Sequence, residues 1–274
     1  MGFFLWTVLV MVVVVGWLIL GGATSSAARY YLKFATFGIS SMFFATSPIP
    51  LMLRNPKDSK NALLPAAGLR LTAKLMGLKC TVRGKENIVK DSGCVVVINH
   101  QSILDLIVLA ELWPVMDRCT VISKREIFYL WPFGLAAWLW GTIFIDRLNA
   151  RSAQKSINST GAIIRDRKAR VLMFPEGTRS MKDKLLPFKK GAFHLAIASQ
   201  CPVQPVVVSR YTFLGDRRFD AGVIDITILS PLETKGLVRE DVTKLMENTY
   251  TVMTDYLESI SPSRNNNIAK SKFD

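Results

Sequence analysis

The 274 residues are 50% hydrophobic with a mean hydropathy of +0.26, and 35 Lys and Arg against 21 Asp and Glu leave a net charge of +14. That apolar content excludes a disordered tail, four cysteines (Cys80, Cys94, Cys119, Cys201) without a CxxC pair exclude a disulfide-dense scaffold or Cys-rich zinc module, and His100 and His194 alone are too few for a multi-histidine metal site. A chain that is both apolar and basic points to a membrane surface or to anionic ligands.

The charge is not spread evenly. Residues 1–53 hold Arg29 and Lys33 and no acid, residues 54–90 carry nine basic and two acidic residues, and residues 165–190 carry nine and three. Two segments therefore hold 13 of the 14 excess positive charges, whereas a generic solvated surface mixes signs.

Residues 3–22 form an uncharged run of twenty, long enough at about 1.5 Å per residue to cross a hydrocarbon core of about 30 Å. It reads as a transmembrane or signal-anchor helix. A cleaved signal peptide is the rival, favoured by the small residues Ala23, Ser25, Ser26 and Ala27 but opposed by the length of the run and the absence of Lys or Arg before it. A second uncharged stretch, 34–53, is a span, a re-entrant hairpin or an interfacial helix, since Pro48 and Pro50 fit badly inside a regular helix. The basic run opening with Arg54, Lys57 and Lys60 belongs on the cytoplasmic side. A third apolar run, 127–145, is broken by Pro132, Gly134 and Gly141 and reads as a short helix resting on the bilayer followed by a buried strand.

From about residue 79 short apolar runs (94–98, 120–122, 142–145, 171–174, 203–208, 224–229) alternate with helix-like segments such as 152–167. This predicts one α/β domain with a mostly parallel or mixed sheet over 54–260, preceded by a membrane anchor at 1–53 and followed by a flexible tail at 261–274.

Three polar constellations follow apolar strands. Asn99-His100-Gln101-Ser102-Ile103-Leu104-Asp105 places a histidine at the carboxyl end of a buried strand, where α/β sheets gather ligands. A histidine whose second ring nitrogen meets a carboxylate is suited to general base catalysis near neutral pH. Five residues rotate an ideal helix by about 140°, so His100 and Asp105 meet only if His100 sits in the turn before the helix, with Asn99 or Ser102 as its N-cap. Phe174-Pro175-Glu176-Gly177-Thr178-Arg179-Ser180 offers turn donors and a planar guanidinium to an anion. Lys124-Arg125-Glu126 leads into the third apolar run. His194, in a small-residue apolar helix, reads as a packed or surface histidine, and the cysteines as buried apolar residues in a reducing compartment.

Taken together and in this order, NHxxxxD, the KRE turn, GTIFIDR, FPEGTRS, PFKKGAFHLA and the VQPVVV strand resemble the glycerolipid acyltransferase family, particularly its eukaryotic 1-acylglycerol-3-phosphate acyltransferases, over about residues 65–240. The resemblance implies that His100 is the base and Asp105 its orienting partner. It also implies that Glu176, Gly177, Thr178 and Arg179 bind the acceptor's phosphate with help from Lys124 and Arg125. Arg179 favours a bare phosphomonoester acceptor. The implied reaction moves an acyl chain directly from acyl-CoA, a co-substrate and not a bound cofactor, to the sn-2 hydroxyl of lysophosphatidic acid. No metal or other cofactor is implied. Backbone N–H groups at the start of the helix after His100 are the expected oxyanion donors. Glycerol-3-phosphate or another lysophospholipid is the alternative acceptor, and a silent anionic-lipid-binding membrane protein the alternative class. An acyl-serine route through Ser102 lacks a GxSxG elbow. Partners implied are the two substrates and the bilayer of the endoplasmic reticulum, with the catalytic domain facing the cytosol; nucleic acid is excluded, because the basic segments lack interleaved aromatics.

Overall fold

The computed structural model describes residues 25–145 and 160–260. The expected helix over 3–22, the first part of the expected helix over 152–167 and the tail from 261 lie outside these residues.

Helix α1 (Ser26–Thr46) opens at Ser25, whose hydroxyl accepts from the Ala28 N–H, and ends at Ser47, where Pro48 and Pro50 stop it before the short α2 (Ile49–Met52). It starts eight residues before the uncharged stretch expected at 34–53 and includes Arg29 and Lys33. The helix does not stand apart from the domain. Phe37, Ser40 and Ala45 are buried, and the Lys33 ammonium lies 4.9 Å from the centre of the Phe219 ring. Such a contact lets a cation sit in an apolar helix. By length and composition Ser26–Met52 can cross a bilayer, and 28% of its most apolar window is buried inside the protein.

Helix α3 (Leu63–Leu75) leads into strand β1 (Leu78–Arg83), and the sheet continues through β2 (Cys94–Ile98), β3 (Cys119–Lys124), β4 (Ile143–Ile145), β5 (Arg170–Met173), β6 (Val203–Val208) and β9 (Gly222–Ile228). A two-stranded hairpin, β7 (Leu214–Gly215) and β8 (Arg218–Phe219), lies between the last two. The order across the sheet is β1-β9-β6-β2-β5-β3-β4, and every pairing is parallel except β6 with β9. Strand β1 is missed by a search for apolar runs because it is an edge strand whose Lys79, Thr81 and Arg83 alternate with inward residues.

Every residue of β2 and β6 is buried, as a parallel sheet covered on both faces requires. The pleat sorts their side chains into two cores. Val96, Ile98, Val206 and Val208 face α3, α4 (Asp105–Met116) and α1; Val95, Val97, Val203 and Val207 face α7 (Gly191–Ser199) and α8 (Val242–Ser259). Residues 160–167 form α6. Burying each such valine stabilises the fold by roughly 1.5–3 kcal/mol.

The third apolar run folds as a 3-10 turn (Arg125–Tyr129), helix α5 (Phe133–Leu139) and β4. A side chain on Gly134 would put its Cβ 1.8 Å from the Phe128 carbonyl oxygen, so glycine is needed there. With β2 to β6 running in one direction, the segments after β2, β3, β5 and β6 meet along one edge of the sheet.

Candidate active site

Strand β2 leaves the sheet at Asn99, whose amide bonds both backbone groups of Val208: Nδ2 donates to the carbonyl at 3.1 Å and Oδ1 accepts from the N–H at 2.8 Å. This holds the next residue, His100, at the sheet edge. Its backbone N–H donates to Glu176 Oε1 at 2.7 Å and its carbonyl accepts from the Ser180 N–H at 2.9 Å, so both ends of the His100 peptide are fixed by the EGTRS loop. The imidazole stacks on Phe174, with ring centres 4.1 Å apart and planes 20° apart.

Nδ1 of His100 lies 2.6 Å from Asp105 Oδ2. His100 occupies the turn and Asp105 the first position of α4, which is the arrangement the five-residue spacing demanded. Asp105 Oδ2 also accepts from the N–H groups of Gln101 (2.7 Å) and Ser102 (3.1 Å), and Oδ1 accepts from the Tyr211 hydroxyl (2.6 Å). A carboxylate only accepts, so Nδ1 carries the proton and Nε2 is the nitrogen left to act as a base. The positive end of the α4 dipole adds to the stabilisation of the Asp105 charge.

One local expectation fails here and another is narrowed. Neither Asn99 nor Ser102 caps α4: the N-cap position is Leu104, without a side-chain bond, and Asp105 itself reaches back to the preceding amides. Those same amides were the expected oxyanion donors. Gln101 and Ser102 donate to Asp105, and Leu104 N–H points to Ser102 Oγ at 3.4 Å, so these three do not serve a developing oxyanion. The Ser102 hydroxyl has Leu104, and not His100, as its partner, which leaves an acyl-serine route without its base.

The EGTR loop turns back through a bond from Gly177 N–H to the Phe174 carbonyl (3.1 Å), with Gly177 at φ +70°. A Cβ at this position would be strained and would lie 2.7 Å from Lys189 Nζ. Glu176 is 3% exposed, and its two oxygens accept from His100 N–H and Leu186 N–H (2.9 Å). The structure thus places Glu176 inside the loop as a clamp on His100, not on a surface open to a phosphate, whose charge it would repel. Thr178 and Arg179 are exposed, directly preceding the Ser180 that bonds His100. Lys124 and Arg125 are exposed at the end of β3. Strands β2 and β3 both pair with β5, with Val96 and Val121 opposite Leu172. Two inter-strand steps of about 4.8 Å therefore separate the KRE turn from the His100 strand.

The basic segment 165–190 divides. Arg170 is 4% exposed at the start of β5, its guanidinium on the carbonyls of Met116 and Asp117, and Arg165, Arg167 and Lys168 precede it at the sheet edge away from His100. Only the residues after β5, from Arg179 to Lys190, belong to the site edge.

His194 lies within α7; burial, then Arg239 and Lys190, hold its imidazole below the usual histidine range. Burial pushes the thiols of Cys80, Cys94 and Cys201 up to about 12, so they are unsuited as nucleophiles. Among the described residues no group of three or more His, Cys, Asp or Glu is placed to hold a metal ion. Tyr211 and Phe174 are the site residues that sequence reasoning missed. Tyr211 belongs to no motif, and Phe174 sits inside one whose polar members drew attention.

A family model described as Acyltransferase matches residues 79–209. The chain is 35% identical to human 1-acyl-sn-glycerol-3-phosphate acyltransferase alpha over 86% of its own length and 84% of that protein. It is 36% identical to the 1-acyl-sn-glycerol-3-phosphate acyltransferase of Saccharomyces cerevisiae over 69% of this chain and 63% of that protein. The fold matches the crystal structure of the 1-acyl-sn-glycerophosphate acyltransferase PlsC from Thermotoga maritima with a TM-score of 0.67, at 22% identity and covering 86% of this chain and 98% of that one. With the motifs in family order and the His100–Asp105 pair formed, the chain belongs to the glycerolipid acyltransferase family.

Proposed function

We propose that the protein transfers an acyl chain from acyl-CoA to the sn-2 hydroxyl of 1-acyl-sn-glycerol-3-phosphate, making phosphatidic acid. The observation that carries this is the His100–Asp105 pair at 2.6 Å on a sheet edge that also exposes Arg179, Lys124 and Arg125. His100 Nε2 takes the hydroxyl proton as the oxygen attacks the thioester carbonyl, and Asp105 stabilises the imidazolium. The tetrahedral intermediate collapses with cleavage of the carbon–sulfur bond, and the departing CoA sulfur takes the proton from His100, so that CoA leaves as the thiol and the imidazole returns to its neutral form. Arg179 binds the acceptor phosphate as a planar fork, with Lys124 and Arg125 as further cations.

Both lipids come from a bilayer. Phe128, Tyr129, Leu130 and Trp131, which begin three residues after Arg125, are 38%, 66%, 55% and 72% exposed, an apolar tip close to the cations Lys124 and Arg125 that suits the interface of an anionic membrane. Together with the apolar run at 3–22 and helix α1, this supports an integral enzyme of the endoplasmic reticulum membrane with its catalytic domain on the cytosolic side.

The test is a panel of acceptors (lysophosphatidic acid, glycerol-3-phosphate, lysophosphatidylcholine) crossed with acyl-CoA and acyl carrier protein donors, on membranes bearing wild type or His100→Ala. Transfer to lysophosphatidic acid from acyl-CoA, absent in the variant, is expected. Preference for another acceptor or donor replaces that part of the proposal, and turnover of nothing with liposome binding retained overturns it.

A further inference from the structure

We propose that Tyr211 is a positioning residue for the acyl transfer inferred above, its hydroxyl fixing the outer oxygen of Asp105 so that the carboxylate meets His100 in one orientation and divides its charge between two sides. The statement rests on the acyltransferase reading of the His100 site.

Tyr211 lies three residues beyond β6 and is 2% exposed. Its ring packs against Phe213, with centres 5.3 Å apart, and Phe213 stacks on Phe219. An aromatic ring held among aromatic rings has little rotational freedom, so its hydroxyl is a fixed donor. It meets Asp105 Oδ1 at 2.6 Å, while the other three donors to Asp105 all converge on Oδ2. Asp105 is itself 2% exposed, so water does not readily replace a lost partner.

The charged and titratable surroundings leave Tyr211 as the group acting at Oδ1. Cys80 of β1 and Asp105 of α4 face the phenol; Cys80 lies in turn near Glu111 of α4, which lies near Arg70 and Lys85. On the other side of His100, Glu176 bonds the His100 backbone, and Arg210 lies near Glu176 and Asp183. Burial and the Asp105 charge push the Tyr211 phenol well above its ordinary range, so it stays a protonated donor at every working pH. Removing that donor leaves Oδ1 unpaired and concentrates charge on Oδ2. The grip on the His100 proton then tightens, the imidazolium is favoured, and the orientation of the pair loosens.

The test compares full-length wild type with Tyr211→Phe in detergent, by two measurements. First, 15N-histidine labelling gives two ring systems, His100 and His194, and His194→Gln identifies which is which. The His100 ring titration is expected to move to higher pH in Tyr211→Phe, and to lower pH when Tyr211 is replaced by a fluorotyrosine, whose phenol is a stronger donor. Second, pH profiles of acyl transfer are expected to show kcat down about tenfold, KM for both substrates within twofold, and the acid limb of kcat/KM displaced in the same direction as the ring titration. A merely structural role lowers the yield of folded protein without displacing either profile. Coincident titrations and an unchanged kcat per folded molecule overturn the proposal. If wild type acylates no acceptor, the functional reading falls, and the ring titration still decides whether Tyr211 governs the pair.

Discussion

Replacing Asp105 by asparagine keeps the shape of the side chain and removes its charge. The carboxylate receives four hydrogen bonds, at 2.6, 2.7, 3.1 and 2.6 Å, three of them on Oδ2. A carboxamide offers one oxygen with two lone pairs. Placed at the Oδ2 position it satisfies at most two of the three donors, and in the opposite orientation its NH2 group points at all of them. Loss of a bond to a buried charged group costs about 1.5–3 kcal/mol in stability. For catalysis the larger effect is on the imidazolium that forms as His100 accepts a proton. At a charge separation of roughly 4 Å and an effective dielectric of about 20, the missing carboxylate is worth about 4 kcal/mol, which is about a thousandfold in kcat. The assay is the initial rate of labelled acyl transfer to lysophosphatidic acid at matched folded protein, with thermal unfolding as the control. A folded Asp105→Asn enzyme within tenfold of the wild-type kcat refutes the role given to Asp105.

Three further outcomes follow from the geometry. Glu176→Gln replaces one acceptor of the clamp with a donor, so kcat is expected to fall about 10- to 100-fold through misplacement of His100, with the acceptor KM little changed; a lowered KM with kcat intact would instead mean that Glu176 faces the phosphate. Arg179→Ala is expected to raise the KM for lysophosphatidic acid about tenfold or more and to weaken the salt dependence of KM, and an unchanged KM at low salt removes Arg179 from the phosphate site. Because the folded-state His194 titrates below 6.5, the unfolded chain takes up that proton first; its stability contribution is complete above 6.5 and is lost as pH falls through the lower folded value. Denaturant unfolding at pH 7.5 and 5.5 is therefore expected to show a smaller acid loss in His194→Gln than in wild type, and equal losses contradict the shift.

The parallel sheet and the His100–Asp105 pair were legible because their signals are local. Runs such as Cys94–Ile98 announce a buried strand, and a five-residue spacing restricts how a histidine and a carboxylate can meet. What stayed hidden depends on partners far apart in the chain. Glu176 looks like a ligand in its motif and proves to be a clamp only because its oxygens meet backbone N–H groups 76 and 10 residues away. Tyr211 is 106 residues from Asp105 and carries no motif. The basic run 165–190 read as one patch, yet β5 passes through it and carries its first four cations to the far edge of the sheet. Helix α1 begins before the uncharged stretch and takes in Lys33, which lies over the Phe219 ring, a tertiary contact that a hydropathy window does not see.

The central claim is that the imidazole of His100 takes the acceptor's proton. Its most direct test is the rate of phosphatidic acid formation by folded His100→Ala in membranes, with labelled lysophosphatidic acid and saturating acyl-CoA. Loss of at least about a thousandfold in kcat, with lysophosphatidic acid binding retained, is the predicted result. A rate close to that of wild type contradicts it.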